Sequence, residues 1–178
     1  EIFTALSDQF TRHEVGKRYL AIVHGHLGEN PPGQKGSGTA SGEWSWPLSA
    51  RAGGRNRPAG AGKRHPSRTR FRVEGCAERY TLLSCEPVSG RQHQIRRHAK
   101  ISGHPVVGDR RYGSKRALAY LENAYPGVRL ALHAWQLSFF PPNRDASRRL
   151  TLTADPVPGF MQTLMGKIDF QALKSKSW

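Results

Sequence analysis

At 178 residues, with 37% hydrophobic and 9% aromatic side chains, the chain has the length and apolar content of one folded domain, which excludes wholesale disorder. Twenty-eight Lys and Arg against thirteen Asp and Glu give a net charge of +15, which points to a polyanionic partner. RNA or DNA fits that charge better than an anionic membrane surface, because no basic amphipathic helix is long enough to lie on one.

No apolar run reaches the length of a membrane span, and the N-terminus lacks a signal-peptide pattern. Cys76 and Cys85 indicate neither a disulfide framework nor a zinc site and read as small apolar residues of neighbouring strands, so a reducing, cytoplasmic setting is expected.

In chain order, Ile2, Leu6 and Phe10, with Phe3 beside them, form the apolar face of a helix over 1–12. Lys17–Val23 is a short apolar run that reads as a buried strand. The Gly/Pro-rich stretch 28–42 is loop, and Glu43–Leu48 a short strand with Trp44 and Trp46 on one face. From Trp44 to Val73 there is no acidic residue and eight Lys or Arg. The middle of that stretch lacks any hydrophobic period, so 49–67 is expected to be a mobile basic loop. Thr69, Phe71 and Val73 alternate with Arg68, Arg70 and Arg72, as in a half-buried strand with a basic outer face. A strand over Tyr80–Glu86, a helix over 91–102, a helix over Lys115–Ala124, an antiparallel pair over Val128–Phe140 and Arg148–Ala154, and a closing helix over 159–170 complete the reading. These elements predict a single α+β domain, a mixed, largely antiparallel sheet with helices packed on it.

The most specific stretch is Ser89-Gly90-Arg91-Gln92-His93-Gln94-Ile95-Arg96-Arg97-His98, continuing to Gly103-His104-Pro105-Val106-Val107-Gly108-Asp109 and Tyr112-Gly113. Donors and cations alternate there with closely placed glycines, which a merely solvated basic helix does not need. Together with Lys17-Arg18-Tyr19-Leu20-Ala21 and Leu130-Ala131-Leu132-His133-Ala134-Trp135-Gln136-Leu137-Ser138-Phe139, this order of motifs resembles the RluA-type RNA pseudouridine synthases over roughly residues 1–155.

The resemblance implies the catalytic-domain fold of that family and a cofactor-free isomerase acting on uridine in ribosomal or transfer RNA, with no DNA or membrane partner. The N1–C1′ bond is cut, the base turns, and C5 is joined to C1′, on a nucleotide taken out of its stack. By the same resemblance Tyr19 packs against the flipped base, Arg96 pairs with the catalytic aspartate, and Arg91, His93, Gln94 and Leu132 surround the substrate. Plainer readings stand beside these: a core tyrosine, a phosphate-contacting arginine and a core leucine. Arg51, Arg55, Arg57, Lys63, Arg64, Arg97, Arg110 and Arg111 are the candidate contacts to the RNA backbone.

One part of the family pattern is absent. Its nucleophilic aspartate lies in an HRLD-x-x-TSG segment that precedes the helix leading to Lys17, and none of Asp8, Asp109, Asp145, Asp155 and Asp169 stands in such a motif. Asp109 reads as a turn former. The chain is therefore expected to be an N-terminally truncated domain, inactive alone, with an uncovered sheet position beside Tyr19–Val23 and an Arg96 that no carboxylate meets. The alternative is a non-catalytic RNA-binding scaffold derived from the same fold. No histidine pair has companions at metal-ligand spacing, so no metal is expected.

Overall fold

The computed structural model describes residues 2–27, 40–142, 148–155, 157–166 and 168–174; Asp145 and most of the 28–42 stretch lie outside them. In chain order the elements are α1 (Ile2–Thr11), β1 (Gly16–His24), β2 (Ser41–Trp44), β3 (Leu48–Ser49), β4 (Arg64–His65), β5 (Thr69–Cys76), β6 (Tyr80–Pro87), α2 (Gln94–Ile101), α3 (Lys115–Ala124), β7 (Leu132–Phe139), β8 (Leu150–Thr153) and α4 (Gly159–Met165). Six strands form one sheet in the order β2-β5-β6-β1-β7-β8, and every described ladder in it is antiparallel.

The apolar run of β1 is explained by its place. Leu20, Ala21, Ile22 and Val23 are fully buried because the strand has a neighbour on each side and packing on both faces. Here an expectation fails: β1 pairs with β6 along Tyr19–His24 and with β7 along Gly16–Ala21, and Ile22 and Val23 are met on the β7 side by Ala131, Val107 and Val106, so the position beside Tyr19–Val23 is filled. The strands that supply these ladders lie far along the chain, where a local reading of the missing segment could not see them.

On one face, α2 presses Ile95 and Ala99 onto the sheet; Met161, Leu164 and Met165 of α4 join the same buried cluster. The closing helix stops at Met165, because Gly166 takes φ +57 and breaks the turn, which shortens the expected 159–170. In β2 only Trp44 is buried; Trp46 has left the strand, yet both indoles meet the His98 ring edge-on, at 6.4 and 6.2 Å. Of the two thiols, Cys85 is buried opposite Tyr19 and Cys76 is exposed. No described helix is long and apolar enough to cross a membrane.

Candidate active site

A cleft of ≈ 430 Å³ opens where α2 meets the sheet. The sheet supplies Lys17 and Tyr19, two apart on β1 and so on one face, with Pro87 at the end of β6 and Leu132 at the start of β7. The loop before α2 and its first turn supply Ser89, Gly90, Arg91, His93, Gln94, Ile95 and Arg96. All six residues expected around the substrate, Tyr19, Arg91, His93, Gln94, Arg96 and Leu132, thus line one cavity although 113 positions separate the outermost two. Lys17, Pro87, Ser89, Gly90, Ile95 and Leu130 line it without having been expected there; the two-residue period of β1 would have placed Lys17 beside Tyr19.

A bulge fixes the aim of this face. Arg18 stands opposite Gln136 and Tyr19 opposite Ala134, so Trp135 is an extra residue in β7. Its side chain is buried, with the Arg18 guanidinium 5.7 Å from the ring, and the strand bends beside Tyr19.

The helix side is held by polar bonds. His93, just before α2, takes the left-handed conformation (φ 53, ψ 29), and no side chain caps the helix there. Gln94 closes the loop instead. Its Oε1 accepts from Ser89 Oγ (2.7 Å) and Arg91 N (3.1 Å), and its Nε2 donates to Arg68 O (2.8 Å) and Thr69 Oγ1 (3.0 Å). Expected as a substrate contact, Gln94 lines the cleft with its hydrogen-bonding capacity already committed to the fold.

Arg96 departs from expectation. Its Nε and Nη2 donate to Asp109 Oδ2 and Oδ1, both at 2.8 Å, so a carboxylate does meet it. Asp109 is a turn former too, accepting Arg111 N and Tyr112 N at 3.0 Å. The turn depends on Gly108, at φ +73, where a Cβ would lie 2.2 Å from Arg129 O. Side-chain exposure falls from 16% at Arg96 to 0% at Asp109, so the pair is deep, and it raises the Arg96 pKa further. The Arg96 guanidinium also lies 5.1 Å from the Tyr112 ring. No Asp or Glu lines the cleft among the described residues.

Burial pushes the Tyr19 phenol pKa up, which favours the neutral form. Burial, with Arg96 and Arg111 nearby, pulls that of His93 down; His93 Nδ1 is 3.2 Å from Tyr112 Oη. His98 is enclosed: its Nε2–H donates to Trp46 O, its Nδ1 faces the Thr69 hydroxyl, both at 2.9 Å, and burial pulls its pKa down as well. His26 lies 3.0 Å from Ala77 O.

Among the candidate backbone contacts, Arg97 is corrected. It is fully buried, and its five N–H groups donate to Ser49 O, Ser49 Oγ, Pro58 O, Ala59 O and Gln92 O at 2.7–3.2 Å. A guanidinium enclosed by carbonyls cannot reach a phosphate. The 49–67 stretch, expected as a mobile loop, is fastened by these bonds, by the β3–β4 ladder, and by Arg111, which donates to Ala52 O and Gly53 O. Gly60 lies against the same anchor, where a Cβ would fall 1.8 Å from Ser49 Oγ. Arg55 is half-buried and donates to Arg110 O, and Arg110 pairs with Glu122. Arg51, Arg57, Lys63 and Arg64 point outward from this anchored loop.

A sequence profile described as RNA pseudouridylate synthase matches residues 1–100. The chain is 45% identical over 94 residues to the ribosomal large subunit pseudouridine synthase C of Escherichia coli strain K12, covering 51% of this chain and 28% of that protein. Against the protein of the same name from Haemophilus ducreyi it is 33% identical over 169 residues, covering 92% of this chain and 48% of the relative. The chain thus spans from about a quarter to about half the length of these relatives. The solved structure of human RNA pseudouridylate synthase domain containing 1 superposes with a TM-score of 0.64 at 24% identity, covering 97% of this chain and 71% of that one, a likeness of fold.

Proposed function

The chain belongs to the RNA pseudouridylate synthase family, and from that premise we propose that it forms the greater part of a site that isomerises uridine to pseudouridine in structured RNA. The observation that carries this reading is the convergence of Tyr19, Arg91, His93, Gln94, Arg96 and Leu132 on one cleft. The relatives' names favour ribosomal RNA over transfer RNA, and a cytoplasmic location goes with that substrate.

In this reading the flipped base lies against Tyr19 and Leu132. Tyr19 holds the base chiefly by packing, since a phenol kept neutral by burial is a poor acceptor for the C5 proton. Arg96 is already fixed by Asp109 and presents the rest of its guanidinium to the cleft. There it orients the nucleophilic carboxylate that the resemblance places upstream of Glu1. Arg51, Arg57, Lys63 and Arg64 grip the RNA backbone from the anchored loop.

Joining C5 to C1′ releases the C5 hydrogen, so tritium release from RNA containing uridine tritiated at C5 is a direct assay. The full-length protein should release it, and the 178-residue chain alone should not. Absence of release by the full-length protein on ribosomal and transfer RNA alike would favour the scaffold. If about five phosphates of single-stranded RNA are contacted, log K should fall against log[salt] with a slope near −3.5. A flat titration would remove the basic loop from the binding face.

A further inference from the structure

A second cavity, of ≈ 370 Å³, lies between the β5–β6 turn and the first turns of α3, and none of the residues assigned so far lines it. Ser114 caps α3, its Oγ accepting Ala117 N, and Arg116 and Tyr120 follow at the i, i+4 spacing that puts them on one helix face. Opposite them, Arg79 projects from the turn and its guanidinium lies 6.0 Å from the centre of the Tyr120 ring. Tyr80 and His24 close the other side, ring edge to ring face at 5.6 Å. The turn is pinned to the end of β1, since Gly25 N donates to Arg79 O at 2.9 Å.

These walls are preformed and complementary to one kind of ligand. Tyr120 is 53% exposed, with the Arg79 guanidinium beside its ring. Arg116 makes no ion pair among the described residues, and Arg79 has only the exposed Glu78, 3.9 Å away. An aromatic platform flanked by two available guanidinium groups suits a planar base joined to a phosphate. Tyr19 and His24 stand five residues apart on β1, about 17 Å along the strand and on opposite faces by its alternation. One nucleotide therefore cannot fill both cavities.

We infer that this cavity is a second RNA contact, which takes one unpaired nucleotide with its base on Tyr120 and its phosphate between Arg79 and Arg116. The inference rests on the reading of the chain as an RNA-acting protein, though not on its catalysis. An RNA engaging both cavities passes round the end of β1, which a folded RNA does more readily than a short single strand.

The test uses the 178-residue chain and a single-stranded oligouridylate of about 12 nucleotides carrying thiouridine, a length within the usual site sizes for single strands. Light-induced crosslinks should map to the peptides of Tyr80 or Tyr120. Tyr120→Leu should weaken binding about tenfold and Tyr120→Phe hardly at all, as loss of a stacking face predicts. Both variants should keep the wild-type unfolding midpoint, because Tyr120 is exposed. Replacing Arg79 and Arg116 together by Gln should flatten the salt slope by about 0.7, the share of one phosphate. Crosslinks absent from this cavity, with wild-type affinity in Tyr120→Leu, would overturn the proposal. Uridine monophosphate bound here without the oligonucleotide would also overturn it and assign the pocket to a free nucleotide. Crosslinking at Tyr120 combined with no tritium release by the full-length protein would leave this contact standing and remove the catalytic reading instead.

Discussion

The two walls of the Tyr19 cleft are built on opposite terms. On the α2 side, Gln94 makes four hydrogen bonds, Arg97 five, and Arg96 a two-pronged pair with a fully buried carboxylate. On the sheet side, the Tyr19 hydroxyl has no hydrogen-bond partner among the described residues, and Lys17 has only the Phe10 ring, 5.9 Å away. The helix wall is a frame in which Gln94 and Arg97 bond inward to the fold and Arg96 is held by Asp109. The sheet wall keeps its groups for whatever enters. A site that must hold a reacting group still and also admit a bulky base benefits from that division.

The comparison is broken most severely at Arg97. Arg97→Met should cost about 4 kcal/mol or more, since the carbonyls of Ser49, Pro58, Ala59 and Gln92 lose a buried charged donor together. Denaturant unfolding should show it, and limited proteolysis should cleave within 49–67 only in the variant. A loss below about 1 kcal/mol would mean that the anchor is not what holds the loop.

Arg96→Ala comes next. It leaves Asp109 buried without its cation, and breaking such a pair typically costs on the order of 3–5 kcal/mol. Because 16% of the Arg96 side chain reaches solvent, the lower end is expected. In the full-length protein the same change should abolish tritium release while leaving RNA affinity mostly intact. Near-normal turnover would detach Arg96 from the chemistry.

Acid should weaken the frame by a smaller step. The folded-state pKa values of His98, His93 and His24 are all lowered, burial being the main cause. The unfolded chain then binds protons that the folded one refuses. Stability is full above the unfolded value near 6.5 and declines as pH falls below it toward the folded values, by at most about 1.4 kcal/mol per unit per group. Unfolding midpoints should drop between pH 7 and pH 5, and His98→Gln should blunt the drop. A midpoint flat across that interval would show that these imidazoles are not protected.

The smallest effect belongs to the sheet wall. Tyr19→Phe removes a hydroxyl that the fold does not use, so stability should change by less than about 1 kcal/mol. A larger loss would mean that this wall is also part of the frame.

Much of this was legible in the sequence because it is local. The apolar run of β1, the alternation at Thr69–Val73 and the capped periodicity of Lys115–Ala124 each declare an element without reference to the rest of the chain. The ordered motifs likewise named the residues that gather at the cleft. Charge type, however, says nothing of direction. Arg96 and Arg97 are neighbours in sequence, yet one turns to Asp109 and the cleft while the other is sealed among carbonyls. That difference arises from the 100° between successive helix positions and from what lies across from each, Asp109 for one and Ser49, Pro58 and Ala59 for the other. For the same reason the neighbours of β1 were invisible: β6 and β7 arrive from more than fifty and more than a hundred residues away. Sequence by itself determined most of the segments that are helix or strand, though not the β3–β4 ladder, and which side chains can carry charge or stack. Only the tertiary structure decided which of those groups face inward, because burial and hydrogen-bond pairing are set by residues distant in the chain.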